Sequence, residues 1–147
     1  MINLHLNGTI RTLILTLRAR ADEQAHNTPL IDDKWSTDWN KYVPEEMLLD
    51  AWYNRSFQLA TAIRSRLIDD AVIEFLDAHD DALVVELGAG LSTRYFRLGK
   101  GKATWIELDF DKAINARRKL DVEVEDHWFI GSDMTQLDWI DLLPDVK

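Results

Sequence analysis

Cysteine is absent from this chain of 147 residues, which excludes a disulfide framework and any thiolate zinc site. With no signal-peptide pattern either, the composition points to a reducing cytoplasm. Positive charge is in short supply: 17 Lys and Arg face 26 Asp and Glu, for a net charge of −9. Phosphate binding needs clustered Lys and Arg, so this balance argues against a nucleic-acid surface. Long apolar runs are missing as well, since none approaches the roughly 18 residues needed to cross a bilayer. The four histidines, His5, His26, His79 and His127, are scattered without metal-ligand spacing, and no acid or base stands out as catalytic. No metal site is expected, no membrane, and a small molecule or a protein is the substrate class left.

The remaining composition is that of a folded domain. A hydrophobic content of 46% with six tryptophans is ample for a core at this length. Ile10, Leu13, Ile14, Leu17 and Ala21 recur at helical spacing and predict a helix from about Thr9 to Gln24. Asn27 to Val43 mixes Pro, Asp and Asn with Trp35, Trp39 and Tyr42 in neither period, and reads as an ordered loop or cap. Pro44 before Glu45 and Glu46 is a helix start, because proline fits the first turn and the acids complement the dipole. A second long helix, about Phe57 to Ala78, is predicted to bury a face of Ile63, Leu67, Ala71 and Phe75.

His79-Asp80-Asp81 interrupts that pattern, and short strands then alternate with helices. Strands are predicted near 83–87, 103–108 and 127–131, helices near 92–98 and 111–120. Such alternation implies a parallel sheet with right-handed crossovers. The expected class is α/β: an N-terminal helical cap over 1–81, then the first half of a Rossmann-like parallel sheet, about three strands, over 82–147.

The most informative residues lie at the end of the first strand. Leu83-Val84-Val85-Glu86-Leu87-Gly88-Ala89-Gly90 is an apolar run ending in two closely spaced glycines, where a ligand can approach backbone with no side chain between. A plain strand–helix turn would use the same glycines. The next apolar run ends in Asp109, 21 residues after Gly88, the offset at which a carboxylate meets ribose hydroxyls in nucleotide-binding βαβ units. Asp109 would serve a helix N-cap equally well. A pyrophosphate fingerprint would place a third glycine where Thr93 stands, and a P-loop would need a Gly-Lys-Ser/Thr that is missing. The ligand that fits has adenosine and ribose but no phosphate, and a positive charge that tolerates Glu86: S-adenosyl-L-methionine. A nicotinamide (NAD(P)) binder is the weaker alternative.

Arginines upstream complete the candidate set. Arg64 is the first choice for clamping the cofactor's carboxylate, because a guanidinium fork binds carboxylates bidentately, with Arg66 as the alternative. Either one could instead pair with Asp69, Asp70 or Glu74 on its own helix. Arg18 and Arg20 are further candidates from the first helix, although exposed helix charges are the plainer reading. Glu86 and Arg94 are possible supports of the loop.

Leu87-Gly88-Ala89-Gly90-Leu91-Ser92-Thr93-Arg94-Tyr95-Phe96-Arg97-Leu98 resembles the first motif of the leucine carboxyl methyltransferase and tetracenomycin-type polyketide O-methyltransferase family. The resemblance continues in order through Thr12 to Ala21 with Pro29 to Asp33, Arg64-Ser65-Arg66 with Asp69-Asp70, Glu107 to Phe110 with Arg117 to Leu120, and Gly131 to Met134 with Leu137 to Trp139. Members usually carry Asp where Ser92 stands and proline where Asp111 stands. The resemblance implies an S-adenosylmethionine-dependent O-methyltransferase acting on a small molecule or a protein carboxylate, with Asp133 and Met134 as the adenine-contacting pair. Asp133 would serve a cap as readily. A carboxylate acceptor is already nucleophilic, so the want of a base is compatible with a reaction driven by positioning. Trp35, Trp39, Trp52 and Tyr53 could wall such a site, although core packing is their ordinary use.

A half sheet raises a physical problem. Its first strand would present an apolar edge, which invites pairing with another chain. A truncated form of a longer enzyme is the expectation, since family members continue for another hundred residues or more and this chain stops at Lys147, where a fourth strand would begin. A partner subunit, such as a second copy in a homo-oligomer, or the N-terminal helices folded back would also cover the edge. In the same vein, a catalytically silent fragment associating with another chain is the alternative to an enzyme.

Overall fold

The structure, a computed structural model, describes Leu4, Leu6 and residues 8–48 and 52–144. His5 lies outside the described residues. The chain forms two compact units, Met1–Ile73 and Glu74–Lys147. Among the described residues no helix is long and apolar enough to cross a membrane.

In the first unit a 3-10 turn, Gly8–Arg11, leads into α1, Thr12–Glu23. The predicted stripe is the inner face of α1, with Ile14 and Leu17 buried. Arg20 and Glu23 are buried beside them. The segment read as a loop contains α2, Lys34–Asn40. Two turns are too short to establish a period, and the start is set instead by a cap: the Asp33 carboxylate accepts from Ser36 N at 3.0 Å while Ser36 Oγ donates to Asp33 O at 2.7 Å. Helix α3, Glu45–Leu48, follows Pro44 as predicted.

Helix α4, Arg55–Ala78, begins two residues before its predicted start, with Asn54 Oδ1 accepting from Phe57 N. Its face is reversed from the prediction. Ile63, Leu67 and Phe75 are exposed, Leu67 by 65%, whereas Gln58, Thr61, Ala62, Ser65 and Asp69 are buried. These inner positions follow helical spacing just as the apolar stripe does, so periodicity finds the helix without choosing its inner side. Burial of a polar face is tolerable where partners meet it, as Glu23 Oε2 meets Gln58 Nε2 at 3.4 Å.

The second unit carries three parallel strands in the order β1-β2-β3: β1 Ala82–Leu87, β2 Ala103–Asp109 and β3 His127–Gly131. The α/β class with a helical N-terminal region and about three parallel strands is therefore what folds. The register sets Val85 opposite Ile106 and Ile106 opposite Trp128. Ile106, Leu108 and Ile130 form a buried cluster packed by Leu83, Val85, Met134, Trp139 and Leu143. Among the described residues β1 pairs with β2 alone, so it is an edge strand.

The crossover after β1 departs from the predicted helix at 92–98. A single π-helical turn, Tyr95–Gly99, takes its place, ending where a Cβ on Gly99 would lie 2.3 Å from the buried Trp105 ring. Between β2 and β3, α5 covers Asp111–Arg117, three residues shorter than predicted, and Leu120 N closes a turn onto Arg117 O. A 3-10 segment, Leu137–Leu142, follows β3.

Candidate cofactor site

Parallel strands bring their carboxyl ends to one rim, where open α/β sheets bind ligands. At that rim Gly88 and Gly90 have φ of +68° and +52°, left-handed values that glycine adopts without steric cost. Gly88 N and Ala89 N both donate to Leu108 O, at 2.8 and 3.2 Å, folding the turn over the end of β2. Met134 reaches the same turn from beyond β3: a Cβ built on Gly88 would meet its Cε at 3.6 Å.

Asp109 closes the loop from below. Its Oδ2 accepts from Gly90 N at 2.8 Å and its Oδ1 from Phe110 N at 2.7 Å. A carboxylate oxygen has two acceptor directions, so each retains capacity for a ligand hydroxyl. Helix α5 takes Phe110 as its N-cap, so Asp109 is not the cap itself: one oxygen holds the glycine loop and the other the amide of the cap residue. The β3 end is tied in through Ser132 N donating to Asp109 O at 3.0 Å.

Asp133, one residue further, uses Oδ1 to accept from Thr135 N at 3.0 Å and Thr135 Oγ1 at 2.7 Å. The backbone N–H and then the hydroxyl of Thr135 hold its carboxyl below the usual range. Gly88, Gly90, Asp109, Asp133 and Met134 all lie in the second unit, along one rim. Arg64 is on α4 in the first unit, with its side chain exposed.

The other arginine candidates are engaged locally. Arg66 Nε bonds both oxygens of Asp70, at 2.7 and 2.9 Å. Arg18 pairs with Asp22 and stacks over the Tyr53 ring, 3.9 Å from its centroid. Arg20 is buried against Asp33 at 3.0 Å. Tyr53 donates to Asp22 Oδ2 at 2.5 Å, and Trp39 is buried.

Sequence reasoning missed the polar core beneath the loop. Glu107 and Arg117 are fully buried, with Arg117 Nη2 donating to Glu107 Oε1 at 2.6 Å and lying 3.2 Å from Asp121 Oδ2. His127 Nε2 lies 3.2 Å from the same Glu107 oxygen, and its ring stacks on Tyr95 with centroids 3.7 Å apart. Burial pushes the imidazole down to about 4, so the ring is neutral near pH 7 and its Nε2–H donates to Glu107. A signal existed: a glutamate inside the run Trp105-Ile106-Glu107-Leu108 faces burial in a central strand and demands a cation. Nearer the loop, Arg94 pairs with Glu86, whose carboxyl is pushed up by desolvation and then by Glu107.

The model of the family described as leucine carboxyl methyltransferase matches residues 12–145. This chain belongs to that family. A tetracenomycin polyketide synthesis O-methyltransferase from Streptomyces glaucescens is 29% identical over 142 residues, covering 96% of this chain and 52% of the relative. An S-adenosyl-L-methionine-dependent methyltransferase from Gibberella zeae is 28% identical over 125 residues, covering 78% of this chain and 42% of the relative. The chain thus spans about half the length of the curated relatives it matches.

Ser92 and Asp111 have clear surroundings. Ser92 Oγ accepts from Arg94 N at 3.3 Å, a local bond within the loop. Asp111 opens α5, where an acid complements the helix dipole. Its Oδ1 lies 2.2 Å from where a Cβ on Gly131 would sit, so glycine at the end of β3 leaves room for it.

Proposed function

We propose that residues 82–147 form the S-adenosyl-L-methionine-binding part of an O-methyltransferase whose acceptor is a carboxyl or hydroxyl oxygen on a small molecule or a protein C-terminus. The observation that carries this is the convergence of Gly88, Gly90, Asp109 and Met134: the acid bonds the second glycine while the thioether stands against the first. The residues fit the ligand's parts. Positive-φ glycines leave backbone open, Asp109 has acceptor capacity for ribose hydroxyls, and the Met134 thioether suits an aromatic base. Asp133 accepts from the adenine amino group through the oxygen not engaged by Thr135. When bound, S-adenosylmethionine supplies an electrophilic methyl group.

What this chain's residues contribute is placement. Glu86 is held beside the loop by Arg94, and a carboxylate acceptor needs no proton removed before attack. Holding the acceptor in line supplies the rate. The family description and the relative named as an O-methyltransferase both support oxygen as the accepting atom.

Calorimetric titration with S-adenosylhomocysteine tests the reading. Wild-type protein binds, and Asp109→Ala weakens binding at least about tenfold through loss of charge-assisted bonds to ribose. A well-folded wild type with no detectable heat overturns it, and affinity for NAD instead would favour the nicotinamide alternative.

A further inference from the structure

Beneath the glycine loop a buried guanidinium touches both its backbone and its foundations. Arg117 Nη1 donates to Ser92 O at 2.9 Å and to Gly90 O at 3.2 Å. On the other side of the same group, Nη2 meets Glu107 Oε1 at 2.6 Å and Asp121 Oδ2 at 3.2 Å. Glu107 stands two residues before Asp109 on β2, so side chains at these positions leave the strand on the same face. The strand that ends in the proposed ribose acid thereby also anchors the arginine that holds the loop.

We propose that Arg117 is a positioning residue for the cofactor loop: it fixes the Gly90 and Ser92 carbonyls toward the protein interior and so presets the backbone that the ligand approaches. The inference rests on the reading of Gly88 to Thr93 as the cofactor loop. A peptide carbonyl and the following N–H point in opposite directions, so holding two carbonyls inward orients two peptide planes of a loop that glycine would otherwise leave free to turn. The planar fork is what permits this. It bonds two carbonyls from one nitrogen and Glu107 from the other, with Asp121 ion-paired beside it, in a fixed planar spread that the single point of a lysine ammonium does not reproduce.

The test compares Arg117→Lys with wild type in the full chain by two readouts, amide hydrogen exchange and titration with S-adenosylhomocysteine. In wild type Gly90 N–H is bonded to Asp109 and Ser92 N–H to Ala89 O, so both amides are protected. Arg117→Lys should lose that protection while β2 keeps its own, and should weaken S-adenosylhomocysteine binding about tenfold. Leu83→Ala trims a side chain packed on the buried cluster near the amino end of β1, the end opposite the rim, and should lower the melting temperature while leaving loop exchange and affinity unchanged. Should Arg117→Lys fail to fold, Glu107→Gln removes the anchoring charge at constant shape and is expected to move both readouts the same way, by about threefold.

Unchanged loop exchange in a folded Arg117→Lys or Glu107→Gln protein overturns the proposal. So does unchanged affinity. A wild type that binds no S-adenosylhomocysteine overturns the cofactor reading instead, and with it the ligand half of this proposal, while loop exchange still decides whether Arg117 holds the loop.

Discussion

Each unit of this molecule buries an arginine against a carboxylate, and the two pairs do different work. Arg20 holds Asp33, and Asp33 in turn caps α2. Arg117 holds Glu107, and its second nitrogen bonds the carbonyls of the glycine loop. The chemistry is the same and the burial is similar. The first arrangement ends in a helix start; the second ends in backbone that a ligand would meet. A buried ion pair is therefore no sign of function by itself, and what else the arginine holds decides its meaning.

The largest effect should come from breaking either pair on one side. Arg20→Met and Arg117→Met each strand a buried carboxylate, and each should cost about 3–5 kcal/mol in denaturant unfolding. The double variant Glu107→Leu/Arg117→Met separates stability from loop placement. Replacing a buried pair by apolar groups is often close to neutral, so part of the stability should return even though Asp121 still loses its cation, whereas loop protection should not. A double variant that restored both would reduce the Arg117 pair to the same standing as the Arg20 pair.

That asymmetry also explains what the sequence made legible. β1, β2 and β3 were readable almost to the residue, because short apolar runs between breakers leave few other folds, and the rim residues Gly88, Gly90 and Asp109 follow from the strand ends. Helix α2 was hidden, since its start depends on one cap and on Arg20, thirteen residues before Asp33. The inner face of α4 was misjudged because its burial rests on partners such as Glu23, which a hydropathy pattern does not contain. Arg117 belonged to a recognisable motif, yet its target is a pair of backbone carbonyls 25 and 27 residues away. Contacts between a side chain and backbone this remote in sequence leave no local trace in residue type.

The polar core of the second unit should also respond to acid. In the folded protein His127 stays neutral to about pH 4, held down chiefly by burial, while in the unfolded chain it protonates near 6.5. Between those values only the unfolded chain takes up the proton. Stability from this group is thus complete above about pH 6.5, is lost as pH falls, and is fully lost near 4, a total of about 3 kcal/mol. Glu86 and Asp121, whose carboxyls burial pushes up, run the opposite way, gaining relative stability as they protonate in the fold. The His127 contribution is isolated by subtraction: denaturant unfolding of wild type and His127→Gln at pH 7, 5.5 and 4.5 should show the gap between them closing toward acid. A constant gap would mean that the ring shares its protonation behaviour with the unfolded chain.

The smallest effect is expected where a close pair stays largely exposed. Arg66 Nε reaches both oxygens of Asp70, at 2.7 and 2.9 Å, one helical turn apart on α4. Both side chains are more than half or about half exposed, at 57% and 50%. Water already solvates each charge, so fixing two long side chains returns little: Asp70→Asn should change stability by no more than about 0.5 kcal/mol, and less still in high salt. Set beside Arg20 and Arg117, this pair tests whether burial or contact sets the magnitude, because all three show similar nitrogen–oxygen distances. A loss approaching that of Arg20→Met would mean that contact, rather than the cost of stranding a desolvated charge, governs the other two.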